Sequence, residues 1–173
     1  LSKSILNFGP KAVVINSFSK YFLMPGWRLG WAIIPDSLRE NFLKLSQNLF
    51  ISSGNIAQYS AIKIFECIEE LNETVKHYSI SREEVHKLLS EIKGLNFRKP
   101  DGAFYFYLDI SKFNIHSEEL SKRILNEIGV ALTPGTDFDK KFGQRTMRLA
   151  FSIDNKTVIE AVTKLKKWFE QNY

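Results

Sequence analysis

Two short β-forming runs lie near the start of the chain, at residues 11–18 (KAVVINSF) and 29–35 (LGWAIIP). Residues 12–15 are continuously apolar, a pattern typical of a strand that is covered on both faces. Pro25 and Gly26 lie between the two runs and favour a loop there. We therefore predict two neighbouring strands joined by a loop.

Apolar residues then recur at helical spacing. Residues 36–50, DSLRENFLKLSQNLF, place leucine and phenylalanine three and four positions apart after a residue that can cap a helix. A long helical tract follows over residues 55–94. It is either one bent helix or two, because Ser81 and Glu84 fit a capping box that would restart it. We expect this tract to contain a domain boundary.

The rest of the chain alternates strands and helices. Four further strands are predicted in the segments NFRK, AFYFYLDI, VALT and TMRLAFSI, with helices over SEELSKRILNEIG and NKTVIEAVTKLKKWFEQNY. Two modules of different layering, joined by a long helix, indicate an α/β class with a smaller α+β end piece. We predict one domain over residues 1–75 and a second over residues 76–173.

Composition is that of a globular protein. Apolar residues make up 44% of the 173 and charged residues 25%, which argues against disorder. Because 24 Lys and Arg are scattered among 19 Asp and Glu, the net charge of +5 indicates a solvated surface rather than a nucleic-acid face. No apolar run approaches the roughly 20 residues of a membrane span. Cys67 is the single cysteine, so a reducing compartment, the cytoplasm, is expected.

The loop between the first two strands holds the residues best suited to chemistry. Lys20 follows Ser17 and Ser19, and Arg28 comes eight residues later between two glycines, which permit close approach to a ligand. A lysine amine forms a Schiff base with an aldehyde, and a guanidinium and hydroxyls bind a phosphate. The set suits a phosphorylated aldehyde. From spacing alone, a surface lysine and an ion-paired arginine fit equally well.

The segment VVINSFSKYFLMPGWRLGWAIIPD resembles the lysine signature of the class I and II aminotransferases, fold-type I enzymes that depend on pyridoxal phosphate. In that family a Ser-x-Ser-Lys element carries the cofactor lysine, and an arginine in a Gly-x-Arg-x-Gly frame follows. The matching positions are Ser17, Ser19, Lys20, Gly26, Arg28 and Gly30. The resemblance implies that Lys20 binds the cofactor aldehyde and later acts as general base and acid. It implies that Ser17, Ser19 and Arg28 help to bind the cofactor.

The resemblance extends to TPGTDFDKKFGQRTMRLAFS, which is similar to the family's last active-site element. There a Pro-Gly loop leads into a strand whose arginine binds the substrate's α-carboxylate. This residue is Arg148 here; Arg145 is its competitor, and in an alternating strand the two point to opposite faces.

Tyr105 and Tyr107 share a strand face and are expected to pack. No metal site is expected.

The resemblance covers the chain as the C-terminal part of a fold-type I enzyme: part of the large-domain sheet plus the small α+β domain. It implies transfer of an amino group between an amino acid and a 2-oxo acid, with a homodimer as the complete enzyme. The family supplies an acidic partner for the pyridine nitrogen before the lysine, whereas residues 1–19 contain neither Asp nor Glu. The chain begins with Leu1 rather than Met, so we expect a longer reading frame.

We therefore expect this chain to need an N-terminal half, whether it is a truncated product or one part of a split gene. Two alternatives remain open. One is another enzyme of the same fold acting on amino acids, such as a decarboxylase, lyase or synthase. The other is an inactive remnant or a regulator domain.

Overall fold

The structure is a computed structural model that describes residues 4–9 and 11–173. It divides into two compact units, Leu1–Val75 and Lys76–Tyr173. Each unit has its own antiparallel sheet, of two strands in the first and four in the second. No helix in the described ranges is both long enough and apolar enough to cross a membrane.

The sheet of the first unit consists of β1 (Val14–Ser17) and β2 (Gly30–Ile33), both shorter than predicted. They run antiparallel, with Val14 opposite Ile33 and Ser17 opposite Gly30. The expected burial on both faces is wrong for this structure, since Ile15 is 76% exposed. The reason is that, among the described residues, this sheet has only two strands, and their side chains lie largely at the surface.

Among the described residues, two α-helices lie entirely within the first unit. α1 (Asp36–Leu49) follows Pro35, and none of its residues is buried. α2 (Asn55–Ile64) buries Ala57 and Ala61. These alanines form one small cluster with three residues from the loop between the strands: Phe18, Met24 and Leu29.

The long helical tract is two helices, but the break is not at Ser81. A 3-10 turn at Phe65–Cys67 separates α2 from α3 (Ile68–Ser90). Ser81 lies inside α3, where it is buried and its hydroxyl donates to Asn155 Oδ1 at 3.0 Å. The side-chain amide of Asn155 donates to Glu84 at 2.7 Å. The two residues of the predicted capping box therefore bond to a distant segment instead of restarting the helix.

The sheet of the second unit has the order β3-β4-β6-β5. Its strands are β3 (Asn96–Phe97), β4 (Tyr105–Asp109), β5 (Thr133–Pro134) and β6 (Thr146–Ala150). This unit also contains α4 (Ser117–Ile128), α5 (Asn155–Asn172) and the part of α3 from Lys76 onward. One face of the sheet forms the core through Phe106 and Leu108 of β4 and Met147 and Leu149 of β6. The residues between them point to the other face.

Candidate functional site

The loop that carries Lys20 is closed by the pairing of β1 with β2. Ser17 is the cross-strand partner of Gly30, and one further backbone hydrogen bond runs from Phe18 N to Leu29 O at 3.1 Å. Arg28 comes two residues before Gly30, so the chain returns it to the strand end that carries Ser17. The fold thus brings the two ends of the predicted site together.

The backbone of this loop is strained at two residues that are not glycine. Leu23 has φ +54° and Arg28 has φ +51°, in the left-handed region. Such conformations cost on the order of 1 kcal/mol and persist only where neighbours impose them. A 3-10 turn at Pro25–Trp27 precedes Arg28, whose Nη1 donates to Pro25 O at 2.8 Å. The guanidinium is therefore held against its own turn.

The two glycines beside Arg28 have different surroundings. A Cβ on Gly30 would lie 2.5 Å from Asn16 O, so this glycine is needed for close strand pairing. A Cβ on Gly26 would meet nothing within 4 Å. The close neighbour of Gly30 is therefore the backbone of β1, and close approach of a ligand at these glycines stays a prediction.

The polar groups of the loop are accessible. Lys20, Arg28 and Ser17 are exposed. Ser17 Oγ accepts from Ser19 N at 3.0 Å and donates to Ser19 Oγ at 2.9 Å, so the two hydroxyls lie side by side. Hydroxyls, a guanidinium and an amine on one short loop are a donor set suited to a phosphate and an aldehyde.

A contact that sequence reasoning missed anchors the residue next to Lys20. Tyr21 donates its hydroxyl hydrogen to Asn72 Oδ1 at 2.9 Å, across 51 positions of the chain. On the other side of Lys20, Phe18 packs against Phe22 and Trp31, with ring centroids 4.9 and 5.0 Å away. Only the aromatic residues were visible in the sequence, because nothing in Asn72 itself marks it as a partner.

Arg148 lies in the middle of β6, on the face of the sheet opposite the core. It is paired with Tyr107 of β4 and Thr133 of β5. Its Cζ is 4.5 Å from the ring centroid of Phe138 and 5.6 Å from that of Tyr105. Nη2 donates to Thr133 Oγ1 at 3.3 Å, whereas the buried Nε has no hydrogen-bond partner among the described residues.

Tyr105 and Tyr107 were expected to pack, but they remain 38% and 39% exposed on this outer face. The Tyr107 hydroxyl lies 3.0 Å from Thr146 Oγ1. The shared face was predicted correctly from the alternation of β4. The packing is only partial: the Tyr105 ring contacts Arg148 and Phe104, while the alternate residues of β4 fill the core.

Arg145 is not in the strand, so the argument from strand alternation does not apply to it. It lies in a 3-10 turn at Gly143–Arg145, with its Cζ 4.5 Å from the ring centroid of Phe142. Arg145 and Arg148 do therefore contact different rings. No group of three or more potential metal-binding side chains occurs in residues 4–9 and 11–173.

Solved structures that are similar to this chain include aminotransferases. The crystal structure of an aminotransferase from Mycobacterium tuberculosis matches with a TM-score of 0.94 and 33% identity, covering 99% of this chain and 45% of that chain. The valine–pyruvate aminotransferase of Mycobacterium tuberculosis is 36% identical over 91% of this chain and 41% of its own length. The (5-formylfuran-3-yl)methyl phosphate transaminase of Methanocaldococcus jannaschii is 35% identical over 93% of this chain and 43% of its own length.

The family model described as aminotransferase class I and II matches residues 3–165, and the chain belongs to this family. Its members depend on pyridoxal phosphate. The predicted family is confirmed, and so is the α/β fold of a C-terminal portion of a fold-type I enzyme. The chain spans less than half the length of these relatives. The lyase, decarboxylase and regulator alternatives are not favoured.

Proposed function

We propose that this chain is part of an aminotransferase that moves an amino group between an amino acid and a 2-oxo acid, with pyridoxal phosphate bound at Lys20. The observation that carries the proposal is the closed loop from Ser17 to Gly30. It holds an amine, two adjacent hydroxyls and a guanidinium at one strand end, and this set fits the aldehyde and phosphate of the cofactor.

Each side chain has a defined task in the proposal. Lys20 Nζ would hold the cofactor at its aldehyde, and the Lys20 amine would move a proton at the substrate α-carbon. The cofactor, when bound, supplies the electron sink for that proton transfer. Ser17, Ser19 and Arg28 would hold the phosphate of the cofactor.

Arg148 binds the substrate carboxylate in this proposal. A carboxylate accepts two parallel N–H bonds from a guanidinium, a pairing stronger than that of neutral groups. We assign Leu1–Val75 to the large cofactor-binding domain and Lys76–Tyr173 to the small C-terminal domain. The support is that Lys20 and Arg28 lie in the first unit and Arg148 in the second.

We further propose that a separate N-terminal portion covers the apolar surface of the first unit. Ile15 of β1 is 76% exposed, and the apolar residues of α1 are all exposed. Leaving such surface in water is unfavourable by about 25 cal/mol per Å², so a covering partner stabilises this unit. A homodimer of the completed enzyme and a cytoplasmic location belong to the same proposal.

Nitrogen transfer tests the function. The chain is combined with its N-terminal portion and pyridoxal phosphate, and transfer from isotope-labelled amino acids to 2-oxo acids is measured. Because Lys20 moves the proton, we expect Lys20→Ala to lower the rate by about 100-fold or more. Lys11→Ala, at an exposed lysine of the same unit, is the matched control and keeps wild-type transfer.

The donor panel contains branched, aromatic and acidic amino acids, and release of carbon dioxide is followed in parallel. Nitrogen transfer without carbon dioxide release supports an aminotransferase. Wild-type transfer by Lys20→Ala, or decarboxylation as the only reaction, contradicts the proposal.

A further inference from the structure

Phe138 is an exposed aromatic residue beside a partly buried arginine. It is 53% exposed, yet its ring centroid is 4.5 Å from Arg148 Cζ. A phenylalanine this exposed gains little from core packing. A guanidinium on the face of a ring gains a cation–π interaction and loses rotational freedom. The position of Phe138 therefore suggests a role at Arg148 rather than in the core.

The loop that presents Phe138 is built around Gly135. A Cβ on Gly135 would overlap Thr146 Oγ1 and lie 2.7 Å from Gly143 O. This close approach seats the loop against the first residue of β6. Gly135 O then accepts from the backbone N–H groups of Phe138 and Asp139, both at 2.9 Å. The backbone of Phe138 is thus tied to the strand that carries Arg148.

The carboxylate of Asp139 secures the next turn of the same loop. It accepts from the backbone N–H groups of Lys141 at 2.7 Å and Phe142 at 3.1 Å. These bonds, that of Phe142 first, hold the pKa of Asp139 below its ordinary value, because they stabilise the charged form. The carboxylate therefore stays ionised and keeps the turn closed near neutral pH.

The remaining contacts of Arg148 define how its side chain is held. Nη2 donates to Thr133 Oγ1 at 3.3 Å, and the Tyr105 ring lies 5.6 Å from Cζ. Binding a carboxylate through two parallel bonds requires the plane of the guanidinium to be fixed. The Thr133 bond alone allows the plane to rotate about the bonded nitrogen. The nearby ring of Phe138 opposes that rotation.

We infer that Phe138 is a positioning residue for carboxylate recognition and that its ring holds the guanidinium of Arg148 in the plane in which a carboxylate binds. The inference rests on the proposed function, in which Arg148 binds the carboxylate. It adds a residue of the second unit to the carboxylate-binding role proposed for Arg148. The ligand class is a small carboxylate, such as an amino acid or a 2-oxo acid.

The full chain offers a matched pair of variants for the test. Phe138→Leu removes the ring beside Arg148. Phe142→Leu removes a ring from the same loop that lies at the same 4.5 Å from a different guanidinium, that of Arg145. Pyruvate is titrated into isotope-labelled chain while NMR follows the arginine Nε–H signals. The Arg148 signal is the one that disappears in Arg148→Lys.

We expect Phe138→Leu to weaken the response of Arg148 to pyruvate about three- to tenfold, the range of one cation–π contact. Phe142→Leu keeps the wild-type affinity. Phe138→Tyr retains a ring and also keeps the wild-type affinity. Weaker binding in Phe138→Leu alone is then due to the missing ring and not to a loss of folding. In the enzyme completed with its N-terminal portion, Phe138→Leu raises KM for the amino acid by a similar factor with little change in kcat.

Equal pyruvate affinity in Phe138→Leu and wild type overturns the inference and leaves the carboxylate role of Arg148 standing. Equal weakening in Phe138→Leu and Phe142→Leu also overturns it, since the effect would then belong to the loop as a whole. An Arg148 signal that does not respond to pyruvate in the wild type removes the carboxylate role itself, and the inference with it.

Discussion

The two units of this chain bury their apolar residues to very different extents. Among the described residues, the buried cluster of the first unit has five members and that of the second has twenty. The patterns in the sequence do not differ in the same way, since α1 carries apolar residues at helical spacing and β1 is mostly apolar. The first unit has the apolar residues of a core but covers few of them.

The two units differ in how they meet two requirements: burying a core and presenting functional side chains. The second unit fills its own core and presents Arg148 on the outer face of a supported sheet. The first unit presents Lys20 and Arg28 on a well-defined loop, but the buried cluster around Phe18 has only five members among the described residues. The proposed cofactor residues therefore lie in a unit that leaves much of its apolar surface exposed.

Hydrogen exchange gives the largest expected contrast. Amides at the centre of β4 and β6 exchange only through wide opening, whereas those of β1 and β2 open locally because little apolar surface holds them. We expect protection factors in β4 and β6 to exceed those in β1 and β2 by about 1,000-fold or more. Exchange of the intact chain followed by NMR or mass spectrometry measures this. Similar protection in both sheets would remove the contrast.

A matched pair of phenylalanines tests the same contrast in burial between the two units. Phe106 is fully buried in the second unit and Phe42 is 41% exposed on α1. Phe106→Ala should lower the free energy of unfolding by about 3–5 kcal/mol, because it leaves a cavity. Phe42→Ala should change it by about 0.5 kcal/mol or less. Denaturant unfolding of the chain measures both.

Adding the N-terminal portion should reveal an effect of Phe42→Ala on binding, and it should not do so for Phe106→Ala beyond the loss of stability. If that portion covers α1, Phe42→Ala weakens its binding even though the variant is neutral in the isolated chain. A Phe42→Ala variant that binds the N-terminal portion as tightly as wild type does would show that α1 is not part of the covered surface.

Two glycines of the second unit give a smaller effect that tests the loop at Arg148. Gly135→Ala introduces a methyl group against Thr146 and Gly143, and should cost about 1–3 kcal/mol. Gly102→Ala meets nothing within 4 Å and should stay within about 0.5 kcal/mol of wild type. Unfolding free energies measure the pair. Equal stability of the two variants would mean that the loop rearranges at little cost in free energy. Such a loop would hold Phe138 beside Arg148 only weakly.

The sequence allowed the prediction of most elements and of the loop between β1 and β2, because apolar periodicity and turn residues are local signals. It also placed Lys20, Arg28 and Arg148 on a family frame. The prediction of a helix start at Ser81 was wrong, because the Ser81 hydroxyl bonds to Asn155 instead of capping a helix. Tyr21 with Asn72 and Phe138 with Arg148 were missed, because partners far apart along the chain leave no mark in spacing or hydropathy.

Burial was the other failure. A continuous apolar run predicts a covered strand, but whether it is covered depends on what packs against it. In the second unit the alternate residues of β4 and β6 meet helices of the same unit, so pattern and burial agree. In β1 they disagree, and Ile15 remains at the surface.

Chemical trapping at Lys20 tests the central claim most directly. The chain and its N-terminal portion are mixed with pyridoxal phosphate, reduced with borohydride, digested and mapped by mass spectrometry. We predict a phosphopyridoxyl group on Lys20, absent from Lys11, and a loss of the label when an amino acid substrate is added before reduction. An unlabelled Lys20, or a label spread evenly over surface lysines and unaffected by the amino acid, would contradict the account.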